Sequence, residues 1–151
     1  MAKYIIEECL DYSVWDDFVD NSPQGTVFSK SALVNISCEK PKFFFVNKGN
    51  ERVGGFSLML TEKDEPLEPV RYFHYFNSIL FNNNDNILIH KKITEELRVS
   101  ELIISEVAKI YGKHYVVNTP YYEDMRAFQW FNYHEKDKGV YVNGLNYTAI
   151  L

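Results

Sequence analysis

The sequence predicts a single α/β (α+β) domain, and three observations carry that prediction. Two adjacent β-rich runs, Lys42 to Asn47 and Arg52 to Leu60, flank a tight-turn composition at Asn47-Lys48-Gly49-Asn50, which reads as an antiparallel hairpin. A stretch from Ile93 to Tyr111 places Ile93, Leu97, Ile104, Ala108 and Tyr111 near one helical face and meets Gly112 where a C-terminal cap would stand. A strand candidate, His114 to Asn118, follows directly, and helix followed by strand is the order of a layered fold.

The remaining elements follow from local chemistry. Tyr4 to Cys9 is a short strand candidate. Ser13 is an N-cap type of residue, and Val14, Trp15, Phe18 and Val19 recur behind it at helical spacing. That helix ends near Asn21-Ser22-Pro23, because proline disfavours helix in the residue before it. Pro23-Gln24-Gly25-Thr26 is a turn leading into Val27-Phe28, and Ser31 to Cys38 forms a second short helix stopped before Pro41. In the second hairpin strand Phe56, Leu58 and Leu60 share one face, and Ser57, Met59 and Thr61 the other. Gly54-Gly55 marks a bulge or a close approach. Lys63 to Pro69 is charged and carries two prolines, which predicts a surface loop. Arg71 to Phe81 is aromatic and partly extended, and Asn82 to Asn86 is a polar break. Tyr121 to Tyr133 reads as an aromatic turn or short helix and Glu135 to Lys138 as a charged break. Val140 to Val142 and Tyr147 to Leu151 read as final strands around Asn143-Gly144.

At 151 residues the chain fits one domain with a sizeable core, and 11 Tyr and 11 Phe supply large side chains to fill it. A net charge of −5 with scattered Lys and Arg argues against a sequence-independent nucleic-acid binder, which needs a basic surface. Cys9 and Cys38 belong to no Cys/His cluster, so no zinc site is expected, and they read as reduced, buried small hydrophobes. The opening Met1-Ala2-Lys3-Tyr4 shows no secretory apolar region, and no apolar run approaches the roughly 20 residues of a spanning helix. A soluble, cytoplasmic protein without a membrane span is the expectation.

Three stretches taken together resemble the tandem-GNAT proteins related to the FemABX peptidyltransferases. The first is Trp15-Asp16-Asp17-Phe18-Val19 with Ser22-Pro23-Gln24-Gly25-Thr26-Val27-Phe28. The second is Arg52-Val53-Gly54-Gly55-Phe56-Ser57-Leu58. The third is Asp124-Met125-Arg126-Ala127-Phe128-Gln129-Trp130-Phe131-Asn132-Tyr133 with Tyr147-Thr148 behind it. The resemblance is to the first half of a FemAB-type protein. It implies a GNAT-like fold, a mixed and mostly antiparallel sheet flanked by helices. It also implies the acceptor-binding half of an acyl or aminoacyl transferase of cell-envelope or surface-glycan synthesis.

The chain departs from that family in two ways. It stops at Leu151, about where a second half would begin. GNAT enzymes also cradle the CoA pyrophosphate on a glycine-rich loop before a helix, whereas His90-Lys91-Lys92-Ile93-Thr94-Glu95-Glu96-Leu97 holds no glycine. Glu95 and Glu96, expected in the first helical turn, would complement the helix dipole and repel a pyrophosphate. No cofactor is therefore expected in this chain, and the acyl-CoA or aminoacyl donor belongs to a second half. The expected partners are that second GNAT-like half or a homodimer, with a sugar or peptide as acceptor. From a different class comes the reading of a non-catalytic binding or scaffolding module, or a truncated remnant, that pairs with another chain.

The candidate substrate-binding residues are Tyr72, His74, Asn77, Tyr122, Arg126 and Trp130. Arg126 offers a planar fork for carboxylate or phosphate, with Trp130, Tyr122 or Tyr133 as a stacking wall; the alternative is an Asp124–Arg126 ion pair with Trp130 in the core. Tyr72, His74, Tyr75, Asn77 and Ser78 alternate with Phe73, Phe76 and Ile79, as a polar-aromatic groove wall or as one solvated strand face. His90, His114 and His134 are too dispersed for a metal site, and no catalytic base can be named.

Overall fold

The computed structural model describes residues 3–68, 76–84 and 86–145. In chain order it contains β1 (Tyr4–Glu8), α1 (Tyr12–Asn21), α2 (Ser31–Ser37), β2 (Lys40–Lys48), β3 (Glu51–Leu60), β4 (Leu80–Phe81), α3 (Ile89–Tyr111) and α4 (Arg126–Trp130). The four strands lie in the order β1-β2-β3-β4, and every neighbouring pair is antiparallel. The fold is α+β, a sheet flanked by helices; no parallel pair occurs among the described strands, so the mixed component of the expectation is absent there.

The β2–β3 hairpin turns over Gly49-Asn50, with Gly49 at φ 61°. Its register shifts once: Val46 faces Gly54 while Asn47 faces Arg52, which leaves Val53 as the extra residue of a bulge. The period of two then sorts the strands into two faces. Phe43, Phe45 and Met59 pack with Trp15, Phe18 and Val19 of α1 and Val34 of α2. Val46, Phe56, Leu58 and Leu60 pack with Val99, Ile103, Ile104 and Val107 of α3. Helices thus cover both faces, and β3 is buried from Val53 through Leu60, as a strand enclosed on both sides must be. Full burial of a Phe or Leu side chain here contributes about 1.5–3 kcal/mol.

Gly54 and Gly55 let the two layers close. A Cβ on Gly54 would stand 2.8 Å from Val99 Cγ1 on the α3 side, and one on Gly55 would stand 3.0 Å from Phe18 and 3.1 Å from Trp15 on the α1 side. The glycine pair is therefore spent on close packing, next to the bulge at Val53.

Several boundaries differ from the sequence expectation. The cap of α1 is Asp11, not Ser13: Asp11 Oδ1 accepts from the Ser13 N–H at 2.9 Å and the Val14 N–H at 3.4 Å. A carboxylate two and three residues upstream reaches these orphan donors, whereas Ser13 already lies inside the first turn. Helix α3 begins at Ile89, four residues before Ile93, and its buried face is Val99, Ser100, Ile103, Ile104 and Val107. Ile93 is exposed; the fully buried face of α3 begins at Val99, with Leu97 partly buried against the same core. Gly112 does cap the helix, donating its N–H to Ala108 O at 3.0 Å with φ 63° and ψ −108°. Residues 140–142 form no strand, and 147–151 lie outside the described residues. The charged loop after β3 doubles back, with Leu67 N–H donating to Met59 O at 2.8 Å.

Cys9 and Cys38 are both free thiols; burial pushes both thiols up. Among the described residues no helix is long and apolar enough to cross a membrane.

Candidate functional site

The corner where β4 gives way to α3 is the place at which the resemblance puts a donor pyrophosphate. The first turn of α3 holds no acidic residue, so Glu95 and Glu96 sit deeper in the helix than expected. Their carboxylates nevertheless face the corner. Glu95 accepts from the Tyr4 hydroxyl at 3.2 Å and pairs with Lys48, which ties α3 to the first two strands. Glu96 is partly buried, and burial raises its carboxyl above the ordinary range while Lys92 opposes that shift. A recess of about 20 Å³ between Glu51, Asn82, Asn84, Lys92, Glu95 and Glu96 holds roughly one water. Three carboxylates line it against the Lys92 ammonium, and Glu95 is also paired with Lys48, so the recess is mildly acidic and of single-water size.

Arg126 is already engaged. Its Nε lies 2.9 Å from Asp124 Oδ1 and 3.0 Å from Oδ2, its Nη2 lies 2.5 Å from Oδ2, and its backbone N–H donates to Oδ1 at 3.1 Å. The Arg126 hydrogen bonds hold the Asp124 carboxyl below its ordinary range. This is the ion-pair alternative: the fork that would grip a ligand carboxylate grips Asp124 and pins the start of α4. The companion expectation of a core Trp130 does not hold. Trp130 is 56% exposed, with the Arg126 guanidinium 5.6 Å from its ring centroid.

Tyr122 is no stacking wall for a ligand. It is buried, stacked on Phe81 at 5.8 Å, and its hydroxyl donates to Ser100 Oγ at 2.8 Å. Burial, only partly offset by the Ser100 bond, pushes its hydroxyl up to about 12. Asn77 is also buried, and it does the work of a missing strand ladder. Its N–H donates to Val117 O at 3.2 Å, its Oδ1 accepts from the Val117 N–H at 2.7 Å, and its Nδ2 donates to Tyr115 O at 3.0 Å. The expected strand 114–118 is therefore an irregular segment held beside 76–79 mainly by Asn77, with the Ser78 hydroxyl 3.2 Å from Asn118 Oδ1. Tyr72 and His74 lie outside the described residues.

Two roles escaped the sequence reading. Gln24 is buried; its Oε1 accepts from the Phe81 N–H at 3.1 Å and its Nε2 donates to Tyr121 O at 3.3 Å, which joins the turn after α1 to β4. His114 sits behind the C-cap of α3: its Nδ1 lies 2.8 Å from Gly112 O, and its Nε2 is hydrogen-bonded to the Tyr141 hydroxyl. No local pattern announces either, since each acts on chain far away in sequence. A second recess of about 20 Å³ lies beside His114 and Tyr141, walled by Phe56, Leu58, Ile79 and Val107. Among the described residues no cluster of His, Cys, Asp or Glu could hold a metal ion.

Apolar side chains gather on the surface of the last described stretch. Trp130, Tyr133, Val140, Val142 and Leu145 are all exposed, Val142 by 94% and Leu145 by 89%. Comparison with protein-family models, with curated proteins and with solved structures gave no match to this chain.

Proposed function

We propose that this chain is the acceptor-side, non-catalytic half of a FemAB-like acyl or aminoacyl transferase, and that it works by pairing with a second GNAT-like half that binds the donor. The observation that carries this reading is the β4–α3 corner, where Glu51, Glu95 and Glu96 outnumber the one lining cation, Lys92, around a recess of single-water size. A recess that small, beside a helix start without glycine, does not suit a CoA pyrophosphate. The two-faced sheet, with helices on both sides, agrees with a GNAT-like layering. The exposed apolar side chains at the end of the described chain agree with a surface meant to be covered.

Two measurements test this together. Calorimetry with acetyl-CoA on the purified chain should give no saturable binding; saturable binding would overturn the reading. Translation of the coding DNA beyond the Leu151 codon and of its neighbours should reveal a second GNAT-like half with a glycine-rich donor loop. If none is encoded, a binding module unrelated to acyl transfer becomes the better account. That second reading draws on the Asp124–Arg126 pair, which leaves the leading ligand contact occupied from within.

A further inference from the structure

Strand β1 forms one side of the sheet, and its outer edge is open. The Cys9 N–H donates to Phe43 O at 2.7 Å, and Lys3 O accepts from the Gly49 N–H at 3.5 Å. Peptide groups alternate in direction along an antiparallel strand, so Lys3, Ile5, Glu7 and Cys9 turn theirs to β2. Those of Tyr4, Ile6 and Glu8 turn outward, and no described residue is hydrogen-bonded to them. The strand has no proline and no register shift to end pairing, and Ile5 is exposed on it. Its charges, Glu7 and Glu8, exclude some registers and admit one.

Outward N–H and C=O groups at every second residue are completed by another extended strand. The β1 strand of a second copy fits that role. Antiparallel pairing about Ile6 sets Ile6 opposite Ile6 of the second copy and Tyr4 opposite its Glu8. Every outward residue of β1 is then bonded, in about six hydrogen bonds. Glu7 falls opposite Ile5 of the second copy and diagonal to its Lys3, so opposite charges approach at both ends. Centring the pair on Glu7 would set two carboxylates face to face. Centring it on Ile5 would leave Glu8 beyond the end of the other β1.

We propose that two copies of this chain join β1 to β1, antiparallel about Ile6, into one continuous sheet. The contact is independent of the transferase reading, since it uses neither the donor corner nor the exposed side chains from Trp130 to Leu145.

Sedimentation velocity over a concentration series, combined with amide exchange followed by NMR, tests the contact. So short an interface predicts a weak dimer, half-formed in the range of about 10–100 µM. Between about 20 µM and about 500 µM the amides of Tyr4, Ile6 and Glu8 should become about threefold better protected. Those of Ile5, Glu7 and Cys9 already face β2 and should change little. Glu8→Pro deletes an outward N–H without touching a bond to β2, and should raise the dissociation constant at least about tenfold. Lys3 is exposed, so Lys3→Glu keeps the test valid even if Glu8→Pro does not fold. Alone it should weaken the dimer about fivefold, and Lys3→Glu with Glu7→Lys should restore it. A chain that stays monomeric up to about 500 µM would overturn the proposal. So would a dimer whose Tyr4, Ile6 and Glu8 amides exchange as fast as in dilute solution, because the contact then lies elsewhere. A charge swap that fails to restore association would overturn the register about Ile6.

Discussion

Asn77 and Val117 are joined twice, once through each backbone direction. The Asn77 N–H donates to Val117 O at 3.2 Å, and the Val117 N–H donates back to Asn77 Oδ1 at 2.7 Å. A side-chain amide here replaces one rung of a strand ladder, and its Nδ2 satisfies Tyr115 O as well. Asn77→Ala would strand the Val117 N–H and the Tyr115 carbonyl, at a cost of about 2–3 kcal/mol in urea unfolding. Asn77→Asp keeps the acceptor and loses the donor, so it should fall between the two. If Asn77→Ala leaves stability unchanged, Asn77 is free for a ligand after all.

The sheet–helix contact at Gly54 makes a second prediction. Gly54→Ala places a methyl 2.8 Å from Val99 Cγ1 and 3.1 Å from Leu80 O, and should cost about 1–3 kcal/mol through overpacking. Val99→Ala alone also destabilises by opening a cavity. In the double variant the two costs should sum to less than their separate values, because the removed methyl makes room for the added one. Strict additivity in the four-way cycle would show that α3 does not rest on Gly54.

Tyr122 and Ser100 form a buried hydroxyl pair beneath α3. Tyr122→Phe leaves the Ser100 hydroxyl without its donor and should cost about 1 kcal/mol. Tyr122→Phe with Ser100→Ala removes both polar groups and should recover part of that loss. The phenol is also protected from base: in an absorbance titration Tyr122 should ionise only near pH about 12.

Acid sensitivity follows from His114 with a definite sign. Its pKa is lowered in the fold from the ordinary 6.5, first by burial. The unfolded chain therefore binds the proton more readily, and the His114 contribution to stability is fully present above about pH 6.5 and lost as pH falls below it. Urea midpoints of the wild type should drop from about pH 7 to about pH 5, and His114→Gln should flatten the part of that slope that His114 contributes. A slope unchanged by the substitution would assign the acid sensitivity to other groups.

The legible part of this protein lies where the signal is local. The β2–β3 hairpin, the two faces of β3 and the cap at Gly112 could be read from the residues, because a period of two, a turn composition and a glycine after a helix are properties of neighbours in sequence. The start of α3 and its buried face were displaced for a related reason. Leu88, Ile89 and Ile93 are apolar but exposed, and hydropathy does not say which part of a helix the sheet will cover.

The candidate site divides along the same line. Asp124 and Arg126 are two residues apart, and their ion pair was one of the two readings the sequence offered. Trp130 could not be placed, because its exposure depends on which chain passes over α4. Asn77 and Tyr122 looked like exposed binding groups, yet each is spent on a partner 40 or 22 residues away. The sequence by itself determined the β2–β3 hairpin, the alternating faces of β3 and the places of α1, α2 and the body of α3, while the strands it suggested at 114–118 and 140–142 did not form. The tertiary structure alone decided which polar side chains were consumed, because a buried N–H or hydroxyl must find a partner, and that partner is supplied by whichever distant segment packs against it.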